Sequence, residues 1–420
     1  MTGIDHIDHM TSPDLPQSES HAEQAEPKER VAHPIKSLRE LIDHVAGKSL
    51  PPLPPDDGRI TEPTPFPFLA IVGQMEMKLA LLLGLINPNI GGILLIGPRG
   101  TAKTTAVRSL LNLLPQVERS TCYYGCLPED IELGGIDAVC PDCAKKYGEG
   151  TPLTAPDPVR LIELPLNARL EDVVGGIDER AAAHDRMRVR RGILAQADRN
   201  ILYIDEINLL GDDIIDSILD AAAQGSYTVR RGPLAATYRS RFVLVGSMNP
   251  EEGRLRPQIL DRFGLRVIVR GLEDSNERLE AYRRVNAYLA NPRQMIAQFA
   301  EEMEAAASEI RTARERVKKV KLPDKIANPA IQLVQKMGVD SLRAEITWFE
   351  AARAYAAADG HDEVSLEDLK AVAAMTLRLR RSTYMNEYFK GQQGEEREMQ
   401  MLLGGFGQKK TTIKKNSKRK

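Results

Sequence analysis

The feature that most constrains the fold of this chain is the stretch Gly97-Pro98-Arg99-Gly100-Thr101-Ala102-Lys103-Thr104. It lies between an apolar run, Gly92 to Ile96 (GILLI), and a segment, Thr105 to Leu111, whose apolar residues recur at helical spacing. Strand, glycine-containing loop and helix follow one another. A loop of this kind turns several backbone N–H groups toward one spot beside a helix N-terminus, so hydrogen bonds and the helix dipole both favour a polyphosphate there. In that geometry Lys103 reaches the β- and γ-phosphates and the Thr104 hydroxyl ligates Mg²⁺. Ala102 stands where the GxxxxGK[ST] pattern has its last glycine. A Cβ is tolerable there if the residue is helical, whereas a positive φ would compromise the loop.

The 420 residues leave room for two to three domains, and a formal net charge of −2 argues for neither nucleic acid nor membrane. No apolar run approaches the roughly 20 residues of a membrane span. The first residues, Met-Thr-Gly-Ile-Asp-His, lack a basic region backed by an apolar core. A cytoplasmic protein is therefore expected.

Residues 1–60 hold five of the seven histidines and little apolar material before Pro51-Pro52-Leu53-Pro54-Pro55. They read as a disordered arm, with one short helix around Leu38 to Val45. His6 and His9 suit a solvated tail better than a metal site, and a catalytic histidine elsewhere is limited to His184 or His361. An α/β core is expected over 61–272. It contains an apolar helix from Glu76 to Leu85, a strand-like run VRLIEL at 159–164, the strand Asn200 to Ile204 ending in Asp205 and Glu206, and the strand Arg241 to Asn249. Apolar strands alternating with helices mean a mostly parallel sheet covered on both faces. Charged helical patterns begin near Asp274 and a more apolar helical region runs from Asn328 to Leu379, so 273–380 reads as a linker helix and a helical domain. Residues 381–420 form a polar tail with seven Lys or Arg after Gln408.

Three strand ends supply the parts of a nucleotide-hydrolysis site. Asp205 is placed to hold Mg²⁺. Glu206 is placed to orient or deprotonate an attacking water, and Asn249 to position that water from an adjacent strand. Positive charge for the γ-phosphate has two candidates, Arg262 in Asp261-Arg262-Phe263-Gly264, supplied to a neighbouring subunit, and Arg343 at a helix start. Each also reads as a surface ion pair.

FPFLAIVGQ, INPNIGGILLIGPRGTAKTT, LPLNARLEDVVGGID, RNILYIDEINLL, RFVLVGSMNPEEGRLRPQILDRFGL and VDSLRAEIT occur in this order. Together they resemble the AAA+ I subunit of magnesium chelatase, over residues from about 65 to 380. The resemblance implies an AAA+ P-loop NTPase core, a parallel sheet flanked by helices, with a C-terminal helical lid domain. Position by position it implies Walker A at Gly97 to Thr104, Walker B at Asp205 and Glu206, sensor 1 at Asn249, an arginine finger at Arg262 and sensor 2 at Arg343. ATP and Mg²⁺ are the implied cofactors. Family members form ATP-dependent rings, typically hexamers. They work with a D-type AAA+/integrin-domain subunit and a porphyrin-binding H-type subunit, where Mg²⁺ enters protoporphyrin. Two other classes remain open at this point, a MoxR-like AAA+ chaperone for metalloenzyme maturation and a DNA-translocating ring. The neutral charge argues against the latter.

Two inserts typical of this AAA+ branch are expected, one in the second helix at 164–187 and a hairpin from Gly225 to Tyr238 around Arg231-Gly232-Pro233. Arg230 and Arg231 read equally as partner contacts and as solvated charges. The cysteines depart from better-known family members: Cys122-x₃-Cys126, 13 residues, then Cys140-Pro-Asp-Cys143. All four fall within an insert at 120–150. Two closely spaced pairs of thiolates suit a structural, tetrahedral Zn²⁺, with an iron–sulfur cluster, disulfides or free thiols as the other readings.

Overall fold

The computed structural model describes residues 65–114, 116–177, 189–232 and 234–380. The expected arm at 1–60 with its short helix and His6 and His9, residues 178–187 of the second-helix insert with His184, and the tail at 381–420 lie outside them.

Nine strands are assigned among the described residues: β1 Gly92–Ile96, β2 Gln116–Ser120, β3 Thr154–Pro158, β4 Leu161–Glu163, β5 Ile201–Ile204, β6 Ser226–Arg231, β7 Leu234–Arg239, β8 Val243–Met248 and β9 Phe263–Ile268. Five form one sheet in the order β4-β5-β8-β1-β9, and every pairing in it is parallel. The apolar strand runs explain this. In β1 and β5 every residue is buried, so both sheet faces must be covered, which crossover helices accomplish. Alternation by two divides the strands between two cores. Ile93, Leu95, Ile201, Tyr203, Val245, Leu265 and Val267 face one, while Leu94, Ile96, Leu202, Ile204, Leu244 and Met248 face the other.

On the first face lie the helices Met75–Ile86 and Lys103–Ser109, followed by Ala300–Val317 and Arg343–Ala358 from the later part of the chain. The helix Asp212–Gln224 covers the second with its buried Ile214, Ile215, Ile218 and Leu219, joined by Ile259 of the helix Pro257–Arg262. Fully burying each such side chain contributes about 1.5–3 kcal/mol.

Beyond β9 the described chain is helical: Ser275–Ala290, Pro292–Gln298, Ala300–Val317, Asp324–Lys336, Arg343–Ala358 and Leu366–Leu377. The last begins with a capping box, in which Ser365 Oγ accepts from the Asp368 N–H at 3.2 Å and Asp368 Oδ2 accepts from the Ser365 N–H at 2.8 Å. Trp348 donates its indole N–H to Leu369 O at 2.8 Å, tying the last two helices together. No described helix is long and apolar enough to cross a membrane.

The run VRLIEL contains one strand, Leu161–Glu163, which joins the main sheet; the strand before it, β3, ends at Pro158 and pairs antiparallel with β2. The β2–β3 pair is a stem, and the cysteine-bearing residues 121–153 sit on its end. The second hairpin agrees with its sequence signature, β6 and β7 pairing antiparallel from Ser226↔Arg239 to Arg231↔Leu234.

Candidate active site

Because the five strands of the main sheet are parallel, their C-terminal ends share one edge. The loop 97–104 follows β1 there, Asp205 and Glu206 follow β5, and Asn249 follows β8, which is hydrogen-bonded to both. Gly97 is obligatory, since an added Cβ would lie 2.0 Å from Val269 O. At Gly100 φ is 77°, a left-handed conformation. Ala102 also has positive φ, 64° with ψ 20°, which meets the condition that put the loop in doubt. A left-handed alanine costs about 1–2 kcal/mol. The backbone nevertheless adopts it, and the Ala102 carbonyl accepts the Ala106 N–H at 2.9 Å as the helix begins.

Lys103 is the first residue of that helix and is buried. Its ammonium donates to Gly97 O at 2.8 Å and Pro98 O at 2.7 Å. Burial lowers its pKa below the ordinary lysine value, with Asp205, Glu206 and Glu252 opposing the shift. Thr104 comes next, its Oγ1 3.3 Å from Asp205 Oδ2 and 3.1 Å from the Tyr203 hydroxyl. The Thr104 hydroxyl and the Asp205 carboxylate thus meet beside the loop that holds the Lys103 ammonium.

Asp205 is held by two hydroxyls. Tyr203 donates to Oδ1 at 2.9 Å, and Ser247 donates to the same oxygen. Burial pushes the Tyr203 phenol up, so it keeps its proton and serves as a donor. Ser247 Oγ also accepts the Glu206 N–H at 3.2 Å, linking β8 to the carboxylate pair. Glu206 has φ 50° and ψ 50°, a second left-handed non-glycine residue in the site. Arg99 bridges its carboxylate, at 3.1 Å, to that of Glu252, at 2.5 Å.

Tyr203, Ser247 and Glu252 went unremarked in the sequence. Two of them had a signal: Tyr203 is the polar-tipped member of an apolar strand, on the same face as Asp205, and Ser247 interrupts β8 two residues before Asn249.

The remaining residues expected at the site are less directly joined to it. Asn249 is buried, and its Oδ1 accepts the Glu251 N–H at 3.3 Å; among the described residues it has no hydrogen bond to Glu206. Arg262 ends the helix Pro257–Arg262 and pairs with Asp220 at 2.7 Å and Asp216 at 3.6 Å, so the ion-pair reading describes its contacts within this chain. Arg343 opens its helix, exposed, beside Arg380. Among the described residues, neither guanidinium bonds to the loop 97–104, Asp205 or Glu206. His361 lies 3.4 Å from Asp368 at the capping box, apart from this constellation.

The four cysteines converge. Their Sγ atoms all lie within 4.8 Å of one another, and none is in a disulfide. Tetrahedral Zn–S bonds of about 2.3 Å set sulfurs about 3.8 Å apart, so one ion suits the spacing better than a multi-iron core. Backbone N–H groups of Cys126 and Cys140 donate to Cys122 Sγ at 3.2 Å and Cys126 Sγ at 3.3 Å, and Ser120 Oγ to Cys122 Sγ at 3.4 Å. Such donors offset the charge of clustered thiolates. Burial opposes ionisation of Cys122, yet these bonds bring its pKa down to about 6. Cys126 goes up to about 11 and Cys143 is also raised, through burial and the neighbouring sulfurs. A cation would be needed to ionise Cys126 and Cys143.

Comparison with known proteins yields two profile matches, "Magnesium chelatase, subunit ChlI" over residues 179–258 and "AAA lid domain" over residues 327–400. The magnesium-chelatase subunit ChlI homolog of Methanocaldococcus jannaschii is 43% identical over 323 residues, 76% of this chain and 87% of that protein. The magnesium-chelatase 38 kDa subunit of Rhodobacter capsulatus is 43% identical over 331 residues, 78% of this chain and 91% of its own length. A solved assembly of the subunits BchI and BchD of magnesium chelatase, based on single-particle cryo-EM, contains a chain 39% identical, with a TM-score of 0.43, over 77% of this chain and 99% of that one.

Proposed function

The chain belongs to the magnesium chelatase subunit I family of AAA+ ATPases, and from that premise we propose that it hydrolyses ATP as the motor of a chelatase-type complex, driving insertion of Mg²⁺ into protoporphyrin IX on a separate subunit. The observation that carries this reading is the hydrogen-bonded set Thr104, Tyr203, Asp205 and Ser247, with Glu206 bonded to Ser247 and Lys103 on the adjoining loop, at the carboxyl edge of a parallel sheet.

In this reading the loop amides and Lys103 hold the β- and γ-phosphates. Mg²⁺ would be held by Thr104 and Asp205, both hard oxygen donors, and would neutralise phosphate charge when bound. Glu206 takes a proton from water as the water oxygen bonds to the γ-phosphorus, and the bond from that phosphorus to the ADP oxygen breaks. Asn249 positions the same water. Arg262, supplied by the neighbouring protomer of a ring, stabilises charge on the transferred group, and Arg343 senses the nucleotide from the lid. The exposed surface of the helix Pro257–Arg262 suits a finger offered outward, with Asp216 and Asp220 holding it in readiness. The ring is hexameric, its partners are a D-type subunit and a porphyrin-binding H-type subunit, and its place of action is the cytoplasm. Zn²⁺ on Cys122, Cys126, Cys140 and Cys143 completes the cofactor set as a structural ion.

The test is reconstitution. This chain, mixed with purified D- and H-type subunits, ATP, Mg²⁺ and protoporphyrin IX, should release phosphate and produce Mg-protoporphyrin, read by its fluorescence. Phosphate release without metallation would leave an ATPase whose client is something else.

A further inference from the structure

The cysteine lobe touches two other projections of the fold, and the manner of contact carries an inference beyond the presence of a metal. The lobe has almost no core of its own. Apart from Cys126 and Cys143, the buried side chains within 121–153 are Leu127 and Leu153. That is too little apolar burial to offset the conformational entropy of ordering the loop, so its shape depends on a cross-link through the sulfurs.

The short helix Pro128–Gly134 within the lobe presents Glu129 and Asp130 to the base of the β6–β7 hairpin. Arg239, the last residue of β7, pairs with Asp130 and lies 3.6 Å from Glu129, while Arg199, at the approach to β5, reaches Glu129 at 3.3 Å. Asp130 also accepts the Leu127 N–H at 2.8 Å, so its place is set by the lobe backbone one residue from Cys126. A second tether joins the lobe to the segment 189–191, where Val189 bridges to Ile177. Arg191 donates to Tyr123 O at 3.0 Å, and the Tyr123 hydroxyl to Val189 O at 3.4 Å. Between lobe and hairpin lies a cavity of about 560 Å³ lined by Tyr124, Asp130, Cys140, Thr237 and Arg239. Charge pairs, rather than packed apolar surface, therefore hold the two together.

Resting on the metal reading above, we propose that metal bound by the four cysteines locks the β6–β7 hairpin to the ATPase core. With the metal in place, Glu129 and Asp130 stand where Arg239 needs an anion. Without it they belong to an unstructured loop and Arg239 loses both of its anionic partners, so nothing from the lobe fixes the hairpin base any longer. Val229 and Tyr238 pack with Val189 and Ala195 independently of the lobe, so metal occupancy sets whether the base of this hairpin, at Arg239, is rigid or mobile.

Hydrogen-exchange mass spectrometry on the full-length chain tests this, with zinc measured separately by elemental analysis. As purified, the protein should carry about one zinc per chain. Stripping it with a mercurial and a chelator should speed amide exchange in 226–239 about tenfold while β1, β5 and β8 stay protected. Arg239→Gln should retain the zinc and show the same local acceleration, which separates the lock from any general loosening of a stripped lobe. Zinc bound, with hairpin exchange unchanged both on stripping and in Arg239→Gln, overturns the lock and leaves the metal site standing. Absence of bound zinc overturns the metal reading and the lock with it.

Discussion

Replacing Ala102 by glycine is the perturbation that most directly probes the strained loop. With φ at 64°, the alanine Cβ meets its own backbone, at a cost of about 1–2 kcal/mol relative to glycine. Glycine also raises the entropy of the unfolded chain, which takes back about 0.4–1 kcal/mol. The difference leaves Ala102→Gly more stable by roughly 0.5–1 kcal/mol, or about 1–3 °C in thermal midpoint for a chain of this size. Ala102→Val should move the other way by at least about 1 kcal/mol, since a β-branched residue is a severe outlier at positive φ. Scanning calorimetry on the three proteins without nucleotide measures both shifts, and denaturant titration with unchanged m-values shows that they are changes in stability and not in the compactness of the unfolded chain. A glycine variant no more stable than the parent, or a tolerated valine, would show that residue 102 is not held left-handed, and the account of the loop would fail.

Lys103→Ala should abolish tight ATP binding in calorimetric titration. Because burial lowers the lysine pKa, the parent protein should lose ATP affinity with rising pH before the ordinary value of 10.5 is reached; affinity constant up to that pH would contradict the burial argument. Glu206→Gln should bind ATP as the parent does but turn it over about 10²–10⁴-fold more slowly in a phosphate-release assay. Arg262→Ala should act on the neighbouring site: mixed with parent protein it should depress activity more than in proportion to its share, whereas strictly proportional loss speaks against a shared site. Tyr203→Phe removes one of the two hydroxyls on Asp205 and should weaken Mg²⁺-dependent nucleotide binding, with an effect of about 1 kcal/mol; equal affinity with and without the hydroxyl would mean that Ser247 alone orients the carboxylate.

Sequence alone determined those features whose cause is local. Unbroken apolar runs such as GILLI and ILYI are compatible only with strands buried on both faces, so a parallel sheet was legible, as was the loop between strand and helix that follows from Gly97 to Thr104. The carboxylate pair closing β5 and the paired cysteines were legible too, because a few residues of spacing bring those groups together whatever the rest of the chain does. Tertiary structure decided what depends on residues distant in the chain. Strand order set β8 beside β5 and so placed Ser247 on Asp205 and on the Glu206 N–H, contacts spanning 42 and 41 residues that no periodicity encodes. The left-handed backbone at Ala102 and Glu206 could not be read from their side chains, since both types usually avoid it and adopt it only where the surrounding fold compels them. The pairing of the polar segment Thr154–Pro158 with β2 arose likewise, because nothing in its sequence names a partner 38 residues away, the separation of Glu118 and Pro156, and the topology supplies one. Periodicity records whether a side chain will be buried; register and strand order, which are non-local, choose its neighbours.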